Sequence, residues 1–154
     1  MATYSGSGTC VSVSAAAPAT HDETGFAALT WTNVGELESL GELTVNHSPV
    51  TFSNLCTGRT TVDKGAEDSI EFDITCADDP ADAGQGILRT ARASLTSIVS
   101  VRITDQTGID KYCRGYVMSS REAGGAGISD TMLTTFRIGA VAPASGATVV
   151  RSAA

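Results

Sequence analysis

The chain has 154 residues, the length of one ordinary domain, and 42% of them are hydrophobic, enough to build a core. Ala, Thr, Ser and Gly together make up 73 residues, while aromatics supply 5% and charged residues 18%. That balance argues against a helix bundle or coiled coil, which draws on Leu, Glu and Lys, and a net charge of −7 argues against a protein that wraps nucleic acid through its phosphates.

Residues 1–24 read as a Gly/Ser/Ala/Thr-rich arm with one candidate strand over Thr9–Ser14. A domain is expected over residues 25–141. Phe26–Trp31 reads as its first strand, and Gly35–Leu43, with two glycines in nine residues, as strand and turn. Thr44–Lys64 is Thr-rich and punctuated by Pro49 and Gly58, as in a long loop or hairpin with an exposed tip. Ile70–Cys76 is the cleanest strand, with Ile70, Phe72, Ile74 and Cys76 on one face and Glu71, Asp73 and Thr75 on the other. A short helix over 80–93 follows, with Asp79 as N-cap, Pro80 at the first helical position and Arg89 and Arg92 late, where cations suit the dipole. Ile98–Thr104, Lys111–Ser120 and Asp130–Val141 read as three further strands, with glycines 124, 125 and 127 breaking the chain before the last. Residues 142–154 form an Ala/Ser/Gly-rich tail, mobile or captured by a neighbour. The expected fold class is mainly β: a β-sandwich or barrel with one short flanking α-helix.

Residues that could carry chemistry are sparse. His21 and His47 fall in expected loops without a nucleophile or ligand cluster beside them. Cys10, Cys56, Cys76 and Cys113 lack the close pairing of zinc ligands, and with no secretory signal visible they read as free, mostly buried thiols. Asp78, Asp79 and Asp82 suit helix capping better than calcium binding. No enzyme signature, metal site or cofactor site is expected, and no apolar run is long enough to span a bilayer. The charges divide unevenly. Residues 1–88 hold thirteen acids and two bases, a balance of −11, and residues 89–154 hold four acids and eight bases, a balance of +4.

The run Tyr112-Cys-Arg-Gly115-Tyr116-Val117, through Gly124-Gly125 and Ser129-Asp130 to Phe136-Arg137-Ile138-Gly139, resembles the closing strands of phage tail tube proteins. Trp31-Thr-Asn-Val34-Gly35-Glu36-Leu37 resembles that family's early step into the fold, and the element order agrees over residues 24–141. The resemblance implies a structural virion protein of a long, non-contractile siphophage-type tail. Its subunits would form hexameric rings whose inner strands join into one ring-wide β-barrel, and the rings would stack into a tube. Implied partners are further copies of the chain, the tape measure protein in the lumen, and tail terminator and distal tail or baseplate proteins at the tube ends. DNA would pass in transit without specific binding. The implied setting is the virion tail, with assembly in the host cytoplasm. Residues 44–64 would reach an adjacent subunit or ring. Stacking needs unlike ring ends, so the uneven charge nominates an inter-subunit interface in which Glu67, Asp68, Glu71 and Asp73 meet Arg102, Arg114, Arg121 and Arg137. A secreted β-sandwich binding or adhesion module, and the tube of a related injection machine, are the alternative readings.

Overall fold

A computed structural model describes residues 3, 5–122, 131–144 and 146–153. Glycines 124, 125 and 127, with Ser129 and Asp130, lie outside them. The described elements run β1 (Cys10–Ser14), α1 (Glu23–Ala27), β2 (Thr32–Asn33), β3 (Leu37–Leu40), β4 (His47–Asn54), β5 (Arg59–Glu67), β6 (Glu71–Ala77), α2 (Ala83–Ala93), β7 (Val99–Thr104), β8 (Asp110–Glu122), β9 (Leu133–Ala140) and β10 (Val150–Arg151).

Eight strands form one antiparallel sheet in the order β2-β1-β7-β8-β9-β6-β3, with β10 beside the start of β8. The sheet is not closed into a barrel: its two halves and α2 share one core, in the manner of a sandwich. The alternation legible in β6 and β9 places Phe72, Ile74, Cys76, Thr134, Phe136 and Ile138 inside, with Ile74 opposite Phe136 and Phe72 opposite Ile138. From the other half come Val11, Val13, Val99, Val101, Ile103 and Cys113. Strands β4 and β5 stand apart as a two-stranded hairpin.

Three expectations are corrected. Phe26–Trp31 is not a strand: Glu23–Ala27 is helical, because the Asp22 side chain caps the Gly25 N–H at 2.7 Å and Phe26 is buried against Tyr112, rings stacked 5.3 Å apart. Among the described residues a five-residue helix, α1, thus accompanies the short flanking helix α2. Asp79 is not the N-cap of α2. Asp79 and Pro80 form a turn, in which the Asp79 carboxylate accepts the Ala81 N–H at 2.9 Å, and Asp82 caps the helix by accepting the Gln85 N–H at 2.9 Å. His47 sits in β4 rather than in a loop. The tail is tied down: Val150 and Arg151 pair with Tyr112 and Lys111, and Thr148 is buried.

Helix α2 is pressed close to the sheet at its first turn and open one turn face away. A Cβ on Gly84 would lie 2.5 Å from the Asn33 carbonyl oxygen, while one on Gly86 would meet nothing within 4 Å. Gly86→Ala should therefore stabilise the subunit by about 0.5–1 kcal/mol through lower unfolded-state entropy and better helix propensity. Gly84→Ala should destabilise it despite the same propensity gain. Urea unfolding of the two variants checks the opposite signs.

Among the cysteines, Cys10 and Cys56 are exposed, Cys76 and Cys113 are buried, and all four are free. Burial pushes the Cys76 thiol up to about 11, with the Asp82 charge adding to it, and the Cys113 thiol up to about 12. In the unfolded chain both thiols ionise near 9. Above that pH the unfolded state loses protons that the folded state keeps, so stability is fully present below pH 9 and falls as pH rises toward 12. Urea midpoints at pH 8 and 10.5 should differ more for the native chain than for Cys113→Ala, by roughly 1–2 kcal/mol.

Candidate functional site

The row β8-β9-β6-β3 has one face in the core and one polar face. On the polar face Asp73 lies opposite Arg137, Thr75 opposite Thr135, Ser119 opposite Arg137 and Arg121 opposite Thr135. The Arg137 Nε donates to Asp73 Oδ1 at 3.1 Å, and its Nη1 stands 3.8 Å from Glu71 Oε2. The hydrogen bond and charge of Asp73, with the charge of Glu71, hold the Arg137 guanidinium above its ordinary pKa. The hydroxyls of Thr75 and Thr135 are hydrogen-bonded at 3.1 Å. A shallow depression of about 110 Å³ lies between Asp73, Ser119, Arg121, Thr135 and Arg137.

The eight charged residues named from the sequence thus fall in three places. Glu71, Asp73, Arg121 and Arg137 share the polar face, where both acids meet Arg137 of their own subunit. Glu67 and Asp68 sit at the root of the β4–β5 hairpin, where Glu67 accepts the Thr148 hydroxyl and Asp68 the Ser48 hydroxyl, each at 2.6 Å. Arg102 and Arg114 belong to the other half of the sheet. Arg102 lies 5.2 Å over the Trp31 ring and donates to the Ser12 hydroxyl at 3.2 Å. Among the described residues, Nε of each of these two arginines is buried without a hydrogen-bond partner.

The site that charge arithmetic missed is made of backbone. Strand β8 spans 13 residues and β7 six. Their ladder ends at Val99–Gly115, whereas β9 continues along β8 to Glu122. Residues 116–122 therefore have a strand on one side only, among the described residues, and Tyr116 and Met118 within them are exposed. At the far end of the row, β3 pairs with β6 on one side only among the described residues. A depression of about 560 Å³ runs between Leu37–Leu40 and residues 6–9. An exposed edge is a template for another strand, and natural monomers blunt it with Lys, Pro or short strands. Tyr116–Glu122 contains neither Lys nor Pro. The signal for this site was present in the sequence, as a return strand longer than the strand it returns from. Among the described residues no group of His, Cys, Asp or Glu is arranged to hold a metal ion, and no helix is long and apolar enough to cross a membrane.

No protein-family model matches the chain, and no curated protein is similar to it in sequence. Its fold, by contrast, matches solved structures from phage tails and related injection machines. A chain in the sheath/tube terminator of the extended extracellular contractile injection system PVC superposes with a TM-score of 0.67 at 12% identity, covering 99% of both chains. The SPP1 tail tube gives 0.66 at 11% identity, covering 93% of this chain and 75% of the other. The tail of an empty gene transfer agent particle with C6 symmetry gives 0.64 at 12% identity, covering 92% and 96%. The chain has the fold of tail tube proteins.

Proposed function

We propose that the chain is the structural subunit of a tail tube. Strand directions carry this reading. The ladders β8–β9, β9–β6 and β6–β3 are all antiparallel, so β8 and β3 run in opposite directions at the two ends of one row. The free edge of β8 from one copy laid against β3 of the next forms another antiparallel ladder, and the pattern repeats until a ring closes. Closure removes both open edges at once. The uncovered polar face then lines the channel. Its acids Glu71 and Asp73 are matched in number by the bases Arg121 and Arg137, so the wall offers a passing polyanion neither a net basic grip nor a net acidic row.

In the full reading, rings are hexameric and stack into the tube of a siphophage-type tail. The tape measure protein fills the lumen, terminator and distal tail or baseplate proteins close the ends, and DNA passes without specific binding. Subunits assemble in the host cytoplasm and reside in the virion tail; they have no catalytic role. The sixfold symmetry of the similar gene transfer agent tail supports the ring size. A second reading, the tube of a contractile injection machine, draws support from the similarity to the PVC structure. Negative-stain electron microscopy of concentrated protein separates a tube subunit from a monomeric binding module: rings and tubes support the former, isolated particles at every concentration overturn it.

A further inference from the structure

The two edges left open by the row β8-β9-β6-β3 share an irregularity. In β8, Val117 lies opposite Ile138 and Ser119 opposite Arg137, so Met118 is an extra residue in the ladder with β9. In β3, Leu37 lies opposite Cys76 and Ser39 opposite Thr75, so Glu38 is an extra residue in the ladder with β6. Each is a β-bulge, in which two residues oppose one. Both break the alternation in the same way. Val117 is buried, Met118 and Ser119 are exposed, and Ser120 is half-buried opposite the core residue Phe136. Met118 lies over Gly139, where a Cβ on that glycine would stand 3.3 Å from the Met118 Cγ. Leu37 and Leu40 pack against the core, and Glu38 and Ser39 between them are exposed. Over four residues each edge therefore reads inward, outward, outward, inward.

We propose that the paired bulges are a register key. Val117–Ser120 of one copy lies antiparallel to Leu37–Leu40 of the next, with Val117 opposite Leu40, Met118 opposite Ser39, Ser119 opposite Glu38 and Ser120 opposite Leu37. A four-residue strand lies wholly within residues 116–122 in four antiparallel registers. In the other three, at least one inward residue falls opposite an outward one, because a slip turns side chains to the wrong face. The matched order reads the same in both directions, so a second β8 or a second β3 would also fit it, and charge selects the occupant. Arg121, Glu36 and Glu38 have no ion pair among the described residues. The register sets Arg121 beside Glu36 and Glu38, with Glu122 beyond them opposite Gly35. Two β3 edges would bring two Glu38 carboxylates together, and two β8 edges would offer Arg121 no acid opposite. The key deepens the tube reading and rests on it for the meeting of β8 with β3.

The test uses the full chain with its exposed thiols removed as Cys10→Ser and Cys56→Ser. Met118→Cys with Ser39→Cys places cysteines at opposed positions, within disulfide reach. Glu122→Cys with Ser39→Cys places them four residues out of register, beyond it. After mild oxidation the first chain should run as a ladder of linked multimers on a non-reducing gel, and the second should not. A linked dimer from Met118→Cys alone would mean that two β8 edges meet, and would overturn the key. Deletion is the independent arm, since loss of either extra residue leaves the subunit's own ladder regular. Deleting Met118 or Glu38 alone should abolish rings at concentrations where the native chain forms them, and deleting both should restore them; circular dichroism checks that each chain folds. Single deletions that assemble as the native chain does, or a double deletion that assembles no better than either, overturn the key. Rings without the Met118→Cys, Ser39→Cys linkage overturn the register and leave the tube reading standing. Linked multimers that form no ring at any concentration support the register and overturn the tube reading.

Discussion

Tyr116→Lys together with Met118→Lys should leave the subunit folded and abolish ring formation. Both residues lie within the stretch of β8 that has a strand on one side only among the described residues, and both are exposed, Tyr116 at 36% and Met118 at 59%. Neither charge enters the core, so the urea midpoint should stay within about 0.5 kcal/mol of the native chain's, as for surface changes generally. Two ammonium groups on the edge should oppose a second strand there, the device by which natural edge strands avoid pairing. The doubly substituted chain should sediment as a monomer at concentrations where the native chain forms rings. Ring formation by this variant would mean that copies meet through some other surface.

Phe136→Ala should have the opposite profile, a large loss of stability in the isolated subunit. Phe136 is fully buried at the centre of β9, opposite Ile74 and between Thr134 and Ile138 on the core face. Truncating such a ring removes its transfer free energy and leaves a cavity that a rigid sheet collapses poorly, a cost of about 3–5 kcal/mol. Total stability of a domain this size is about 5–15 kcal/mol, so the variant should be unfolded or nearly so at moderate urea. Phe52→Ala is the control. It removes the same ring from a side chain 63% exposed on the hairpin and should change monomer stability by no more than about 0.5 kcal/mol. A small effect at Phe136, or a large one at Phe52, would contradict the placement of the core.

The strands that alternate cleanly could be read directly. Phe72, Ile74 and Cys76 on β6, Val99, Val101 and Ile103 on β7, and Phe136 and Ile138 on β9 repeat with period two because each strand turns one apolar face to the shared core. The hairpin was legible from its turn residues and Thr content, and α2 from its apolar spacing. What could not be read depends on contacts far away in sequence. Residues 23–27 are helical because Asp22 caps them and Phe26 stacks on Tyr112, a strand residue over 80 positions away. The shift of the α2 cap from Asp79 to Asp82 follows tertiary anchoring: the Asp82 carboxylate also meets the Gly35 N–H, and the buried Gln85 amide donates to the Ala77 carbonyl at 2.8 Å. Val150–Arg151 joins the sheet because the start of β8 has a vacant side, which nothing in the tail's own composition announces.

The charged set shows the same division. The expected partner of Glu71 and Asp73 is a base on another copy; within one subunit both acids already meet Arg137, through the β6–β9 register. Charge counting alone could not find the free edge of β8, since the groups that matter there are main-chain N–H and C=O. The difference in length between two neighbouring strands is the sequence feature that reports it.

The most direct measurement is a cryo-electron microscopy reconstruction of the assembled native chain. The account predicts rings in which residues 116–122 of each copy form an antiparallel ladder with Leu37–Leu40 of the next, with Asp73, Thr135 and Arg137 lining the channel. Rings whose polar face points outward, or whose copies are joined through other strands while residues 116–122 stay open to solvent, would contradict it.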